Sequence, residues 1–335
     1  LIRGKSFRRY LINHCYPMAI DGSQKFAGDT LWAEQLLQRT VGKEDTRHTQ
    51  YFVYVLEASL AFHNGLVIPL LSEFLEHAPG DTEAQKQDCE LHAFVRLSDR
   101  LKTFFPRLPI LLLLDGLYAN GPVMQRCHAN HWQFMIVLKD KDLTSVWQEF
   151  NALQALQPLT HQQSWGKRRQ HFSWVNHIDY AFGPNGRWHL KLNVVVCEES
   201  WERVDEQART VTETSRHAWI SSQPLNPENV HERCNLGARH RWGIEAGFLV
   251  EKHQGYHYEH AFALDWNAMR GYHLLMRLAH VFNTLARFTR QLRRLYQEFG
   301  VRGAIAFIRS SCAAPWLDPA RMRVLLAEPF LLQLE

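Results

Sequence analysis

In the stretch RHRWGIEAGFLVEKHQGYHYEH, residues 239 to 260, an arginine, a glutamate and a lysine follow the spacing Arg241-x3-Glu245-x6-Lys252. At 3.6 residues per turn, positions 241, 245, 248 and 252 fall on one side of a helix, so one acid and two bases share a stripe with Phe248 between them. Gly243 and Gly247 weaken that helix without a proline to break it. Taken alone, Arg241 and Glu245 are an i,i+4 pair of the kind found on solvated helix faces. Two distant acids give the stripe another meaning. Asp21 in YPMAIDGSQKF and Asp115 in LPILLLLDGLYANGP each follow a strand-like apolar run and precede a glycine. Carboxylates from separate segments that meet at strand ends are hard oxygen donors, the set a divalent metal needs to act on a phosphate ester. Asp-Gly also starts turns for purely local reasons, and at both positions the two uses stand side by side.

The elements that must carry these residues can be read in order. Met18, Ala19 and Ile20 predict a short strand closed by Asp21-Gly22, and the stretch 22 to 49 is polar and weakly patterned. Residues 51 to 62 (YFVYVLEASLAF) and the run LVIPLLSEFL predict two strands joined by His63-Asn64-Gly65, making a three-strand meander with the first. Pro79-Gly80-Asp81 ends that unit. Residues 83 to 105 predict a helix on the spacing of Leu91, Phe94, Val95, Leu97, Leu101 and Phe104. Asp88 and Glu90 open that helix, where its dipole favours acids; a supporting place behind the site acids is the other reading. The run Ile110 to Leu114 predicts a strand buried on both faces that delivers Asp115 to its carboxyl end, where α/β sheets place their ligand crevice. A helix around residues 122 to 130 and a strand from Gln133 to Leu138 follow, which implies a parallel pair. Between residues 162 and 220 aromatic and polar residues alternate around a Gly-Pro-Asn-Gly turn, the pattern of antiparallel strands, with Trp219-Ile220 as a last strand. Residues 265 to 299 predict amphipathic helix.

The quoted segments, together with FMIVLKD and WISSQPL, resemble an insertion-sequence transposase of the DDE superfamily. The group in question has a catalytic helix with the signature Tyr-x2-Arg-x3-Glu-x6-Lys. The likeness extends over roughly residues 17 to 285. It implies an α/β, RNase H-like core, a mixed sheet with flanking helices, interrupted by a β-rich insertion and followed by a helical C-terminal region. Residues 17–161 would form the first part of the core, 162–220 the insertion, 221–262 the segment with the catalytic helix, and 263–335 the helical region. Residues 1–16, basic and short, would be the remnant of an end-binding domain. By the same resemblance Asp21, Asp115 and Glu245 are the catalytic, metal-binding triad for two Mg²⁺ ions, with Mn²⁺ able to substitute. Arg241 and Lys252 hold phosphates of the element's ends. The partner is double-stranded DNA, engaged by a homodimer, and the activity is metal-dependent strand cleavage and strand transfer. The chain departs from the signature at Ala238, where the tyrosine belongs; His240 and Tyr256 are the residues that could stand in for it. Two alternatives share the motifs: a catalytically inactive or domesticated DNA-binding relative, and a structure-specific nuclease.

The basic residues outside the stripe fall into two groups. Lys167, Arg168 and Arg169 sit beside Trp165 and Trp174, a combination that could grip and stack on DNA, although a solvated turn beside core aromatics reads the same way. Arg287, Arg290, Arg293 and Arg294 lie in the late helical region. The net charge of +4 over 335 residues is too small to argue for nucleic acid by itself. The six cysteines are scattered without a Cys-x2-Cys pair, and the nineteen histidines offer no tight ligand spacing, which argues against a structural zinc site or a disulfide scaffold. With no signal peptide and no apolar run of spanning length, a cytoplasmic, nucleoid-associated bacterial protein is expected.

Overall fold

The computed structural model describes residues 1–76, 88–313 and 318–327. Strands β1 (Tyr16–Gly28), β2 (Leu37–Val41), β3 (His48–Ala61) and β4 (Val67–Phe74) come first, followed by helix α1 (Glu90–Phe104). Next are β5 (Ile110–Leu114), α2 (Gly121–Ala129), β6 (Gln133–Val137) and α3 (Thr144–Leu156). Then come four antiparallel strands, β7 (Leu159–Trp165), β8 (Arg168–Phe182), β9 (Trp188–Val204) and β10 (Thr210–Ser221). The chain finishes with α4 (Gly243–His253), α5 (Trp266–Arg287), α6 (Arg293–Ala313) and α7 (Pro319–Ala327).

All ten described strands share one mixed sheet in the order β2-β3-β1-β5-β6-β10-β9-β8-β7, with β4 also on β3. β1 pairs antiparallel with β3 and parallel with β5, and β5 pairs parallel with β6. The sheet thus changes at β1 from antiparallel to parallel neighbours. Alternation along β5 explains its unbroken apolar run. Ile110, Leu112 and Leu114 pack in the core under α1, α2 and α3, while Leu111 and Leu113 pack with Ile244 and Phe248 of α4 on the other face. A strand buried on both sides has no polar position to offer until it ends.

Several expectations change. β1 does not stop at Asp21-Gly22 but runs on to Gly28, because β3 keeps pairing with it as far as Tyr51. The weakly patterned stretch contains β2, an edge strand of five residues with little apolar character. α1 begins at Glu90, while Pro79-Gly80-Asp81 and the predicted start of that helix at residue 83 lie outside the described residues. Val95 and Phe104, read as part of its buried stripe, are exposed. The β-rich stretch joins the main sheet, since Trp219, Ile220 and Ser221 of β10 pair with Val137, Ile136 and Met135 of β6. The helix α3 that precedes it went unpredicted. Late in the chain, Arg287 closes α5, Arg290 lies in the turn, and Arg293 and Arg294 open α6, so the helix predicted over residues 265 to 299 is divided there.

The first sixteen residues are attached to this core. Phe7, Tyr10 and Ile12 are buried, and the Phe7 ring stacks on Phe62 with centroids 5.1 Å apart. α5 is tied down differently, by ion pairs in the interior. Arg277 bridges Glu57 of β3 (3.1 Å) and Glu251 of α4 (2.9 Å), while His273 and His280 reach the same two carboxylates. Lys25, fully buried, donates to the Tyr258 carbonyl at 2.8 Å. Burial lowers its pKa to about 8 despite Glu57 and Glu251 nearby.

Candidate active site and the cleft beside it

Asp21 lies inside β1, opposite Glu57 of β3. What ends near it is the parallel pairing with β5, whose last matched residues are Ala19 and Leu113. Carrying that register on by two residues sets Asp21 level with Asp115, on neighbouring strands whose ordinary spacing is about 4.8 Å. Parity gives both acids the face on which Ala19, Leu111 and Leu113 pack, the face covered by α4. Gly22 serves packing here rather than a turn. A Cβ at that position would stand 2.3 Å from Cε1 of Tyr54 and 2.9 Å from Cδ of Glu90. Glu90 accepts from the hydroxyls of Tyr54 (2.9 Å) and Tyr118 (3.2 Å), a role more specific than the helix-opening one expected of it.

Asp115 does both things its sequence allowed. It follows the last residue of β5, and its carboxylate accepts the Leu117 N–H at 2.9 Å, capping a short 3₁₀ turn over Gly116–Tyr118. At Gly116 a Cβ would meet Cε of Lys139 at 2.7 Å, so glycine lets that lysine pass close to the acid.

The stripe of Arg241, Glu245 and Lys252 is built from two elements. A π-helical stretch, Glu232–Gly237, leads into a 3₁₀ turn, Ala238–Trp242, and only Gly243–His253 is α-helical. The tail GYHYEH leaves the helix, with Gly255 at φ +91°. Gly243 belongs at the junction because a Cβ there would lie 2.9 Å from Cγ2 of Val67, so its absence lets α4 settle on β4. Arg241, on the 3₁₀ turn, still faces the acid one turn on. Its Nη2 donates to Glu245 Oε1 at 2.8 Å and its Nη1 to Asp21 Oδ2 at 3.2 Å. One buried guanidinium therefore joins a carboxylate of the central strand to a carboxylate in the first turn of α4. Lys252 pairs instead with Glu259 at 3.0 Å and lies 5.8 Å from the Tyr258 ring centroid.

The Asp21 carboxyl is pushed up to about 6. Burial is the main cause, Arg241 and the Gly22 N–H oppose it, and Glu245 and Asp115 add to it. The acids are therefore mutually close enough to be felt, and one guanidinium does not discharge them. Oxygen-only donors with surplus negative charge fit a hard divalent cation in chemistry. They do not form a ready ligand set. Among the described residues no three His, Cys, Asp or Glu side chains are grouped so as to hold a metal ion. Asp21 and Glu245 are joined through Arg241, and Asp115 stands in register beside Asp21.

A cleft of about 830 Å³ opens next to these groups. Asp115, Asp140, Lys139, Arg168, Arg216, Arg239 and Arg241 supply its charge, with Arg216 paired to Asp140 at 2.5 Å, and Trp165, Trp219 and Trp242 its aromatic surface. Ala238, where a tyrosine was expected, is buried and lines the cleft together with His240. Tyr256 is no substitute: it is buried, and its hydroxyl accepts from Asn283 at 2.8 Å. The predicted Lys167-Arg168-Arg169 patch is divided by strand alternation. Arg168 turns into the cleft, Lys167 stands exposed at the hairpin tip after Gly166, and Arg169 lines a separate depression with Gln162 and Glu198. Trp174 is a core residue, while Trp165 is at the cleft. Lys139, Arg216 and Arg239 escaped the sequence reading because each comes from a different segment and only the fold brings them to one cleft. The one available signal was alternation on β8 and β10, which sets Arg168 and His217 on the face of Phe172, Trp174 and Trp219.

No protein-family model matches the sequence, and no curated protein matches it.

Proposed function

We propose that this chain is a DNA-cleaving and strand-joining enzyme of the DDE type, with an RNase H-like core, acting at the ends of a mobile element. The observation that carries the reading is the meeting of Asp21, Glu245 and Arg241 beside Asp115 at the mouth of a basic, aromatic cleft. The strand order supports it too: three antiparallel strands, β4-β3-β1, continue into the parallel β5 and β6. Asp21, Asp115 and Glu245 are the residues that would hold Mg²⁺. When bound, such ions activate a water or 3′-hydroxyl and neutralise charge gathering on the phosphate. The chain's own residues do the rest. Lys139, Arg168 and Arg239 hold backbone phosphates, which fixes the scissile bond in position without reading bases. Arg241 keeps the Asp21 and Glu245 side chains facing one another across the junction of sheet and helix.

Incubation of the purified protein with supercoiled plasmid and Mg²⁺ tests this reading. It predicts nicked circles and, with a cut duplex end supplied, covalent joining of that end to plasmid. Nicking without joining would favour a nuclease. A second reading, a DNA-binding relative without catalysis, draws on the Arg241 bridge and on Ala238, and salt-sensitive binding with no cleavage in Mg²⁺ or Mn²⁺ would support it.

A further inference from the structure

Beneath the cleft lies one carboxylate that the proposed chemistry does not use. Glu199 of β9 has a fully buried side chain, yet it is an ion-pair partner of two guanidiniums: Arg168 at 2.6 Å and Arg239 at 2.5 Å. Ser215 Oγ donates to it at 3.1 Å, and Gln170 Nε2 donates to its other oxygen. Burial alone would raise its pKa, but the hydrogen bonds from Gln170 and Arg168 and the charges of both arginines outweigh burial and hold it below the usual range.

The two guanidiniums are also fixed from their flat sides. The Arg168 Cζ lies 4.2 Å from the Trp201 ring centroid, and the Arg239 Cζ lies 5.2 Å from Trp165 and 5.6 Å from Trp219. A planar cation held in its plane by a carboxylate and over its face by an indole has few orientations left. Two positive charges on one negative leave an excess of one, and since Glu199 is sealed from solvent the excess is presented by the arginines at the cleft. The same cluster reaches the helical segment. Arg239 donates to Asn235 Oδ1 at 3.0 Å, and Asn235 exchanges hydrogen bonds with Gln170. The sheet made by β7 to β9 is thereby tied to the turn that carries Arg241.

We propose that Glu199 is a positioning residue for DNA backbone, setting Arg168 and Arg239 as a preformed pair that meets phosphate at the cleft. The inference rests on the DNA-binding reading above. It makes a prediction opposite in sign to simple charge counting. Removing a negative charge from beneath a polyanion site should tighten binding, whereas releasing two positioned arginines should weaken it.

The experiment is fluorescence anisotropy of a labelled duplex against NaCl for wild type, Glu199→Gln and Arg168→Lys, with circular dichroism on each protein. Glu199→Gln is expected to weaken binding about tenfold and to flatten the salt slope by about one unit. Arg168→Lys, which keeps the charge and loses the planar fork, is expected to weaken binding as well. Binding that tightens in Glu199→Gln, or that is unchanged in Arg168→Lys, overturns the proposal. If Glu199→Gln fails to fold, the solvent-facing Arg168→Lys decides alone. A wild-type protein with no salt-sensitive affinity for the duplex would remove the DNA reading itself, and the proposal with it.

Discussion

At the scale of single residues, Asp21 carries the most consequence. Its folded pKa of about 6 lies above its ordinary value of 3.8. The neutral form is therefore favoured by folding, and the stability it contributes is full below about pH 4 and lost as pH rises through 6. Asp21→Asn should accordingly stabilise the protein at neutral pH, by about 1–2 kcal/mol once the lost Arg241 contact is set against the relief of desolvation. Urea unfolding at pH 7.5 and at pH 4.5 checks this, with the larger gain expected at the higher pH. Cleavage should also decline with acidification, since protons compete with the metal for the carboxylate. The cations are separable by a second measurement. Arg168→Ala and Lys252→Ala should each flatten the dependence of log affinity on log salt by about one unit, while Glu245→Gln leaves it as it was and Arg241→Ala, whose guanidinium is taken up by Asp21 and Glu245, changes it little. A flat response to Lys252→Ala would assign that lysine to its Glu259 ion pair alone.

At the scale of elements, α4 and α5 depend on buried charge. Arg277 is the only cation among the described residues that pairs with both Glu57 and Glu251, so Arg277→Leu strands two interior carboxylates on histidines. A loss of about 3–5 kcal/mol in unfolding free energy is expected. A change within about 0.5 kcal/mol, the range of an ordinary surface substitution, would show that His273 and His280 suffice. The sequence made some elements legible and hid others for physical reasons. β5 announced itself because a strand buried on both faces is apolar throughout. The extent of β1 past Asp21 could not be read, since GSQKF is polar by composition: Ser23 and Lys25 are buried against Tyr258 from a distant segment. The helix carrying Glu245 was legible through its Arg-Glu-Lys spacing. Its division into π, 3₁₀ and α parts was not, because the close approach of Gly243 to Val67 is a tertiary contact. The cleft was half legible: Arg168 stood in a patch and Arg239 opened the stretch with Arg241, but their meeting on Glu199 of β9 is a tertiary contact.

At the scale of the whole molecule, a net charge of +4 understates how the charge is placed. Basic side chains from β8, β10, the loop after β6 and the turn before α4 gather at one cleft, while acids such as Glu57, Glu199 and Glu251 are used internally. No described helix is long and apolar enough to cross a membrane. This arrangement predicts affinity for duplex DNA that falls steeply with salt and barely distinguishes one sequence from another, because phosphates position and bases specify. Competition between a labelled duplex and unlabelled duplexes of unrelated sequence checks it; a preference of about a thousandfold would place base-reading residues within this chain. The central claim is that the acids beside Arg241 serve chemistry and the cleft serves docking. It is tested most directly by measuring, for wild type and Asp115→Ala, both strand cleavage in Mg²⁺ and affinity for the same DNA. The account predicts that Asp115→Ala abolishes cleavage while its affinity stays within about twofold of wild type. Cleavage by the variant at near wild-type rate would contradict it.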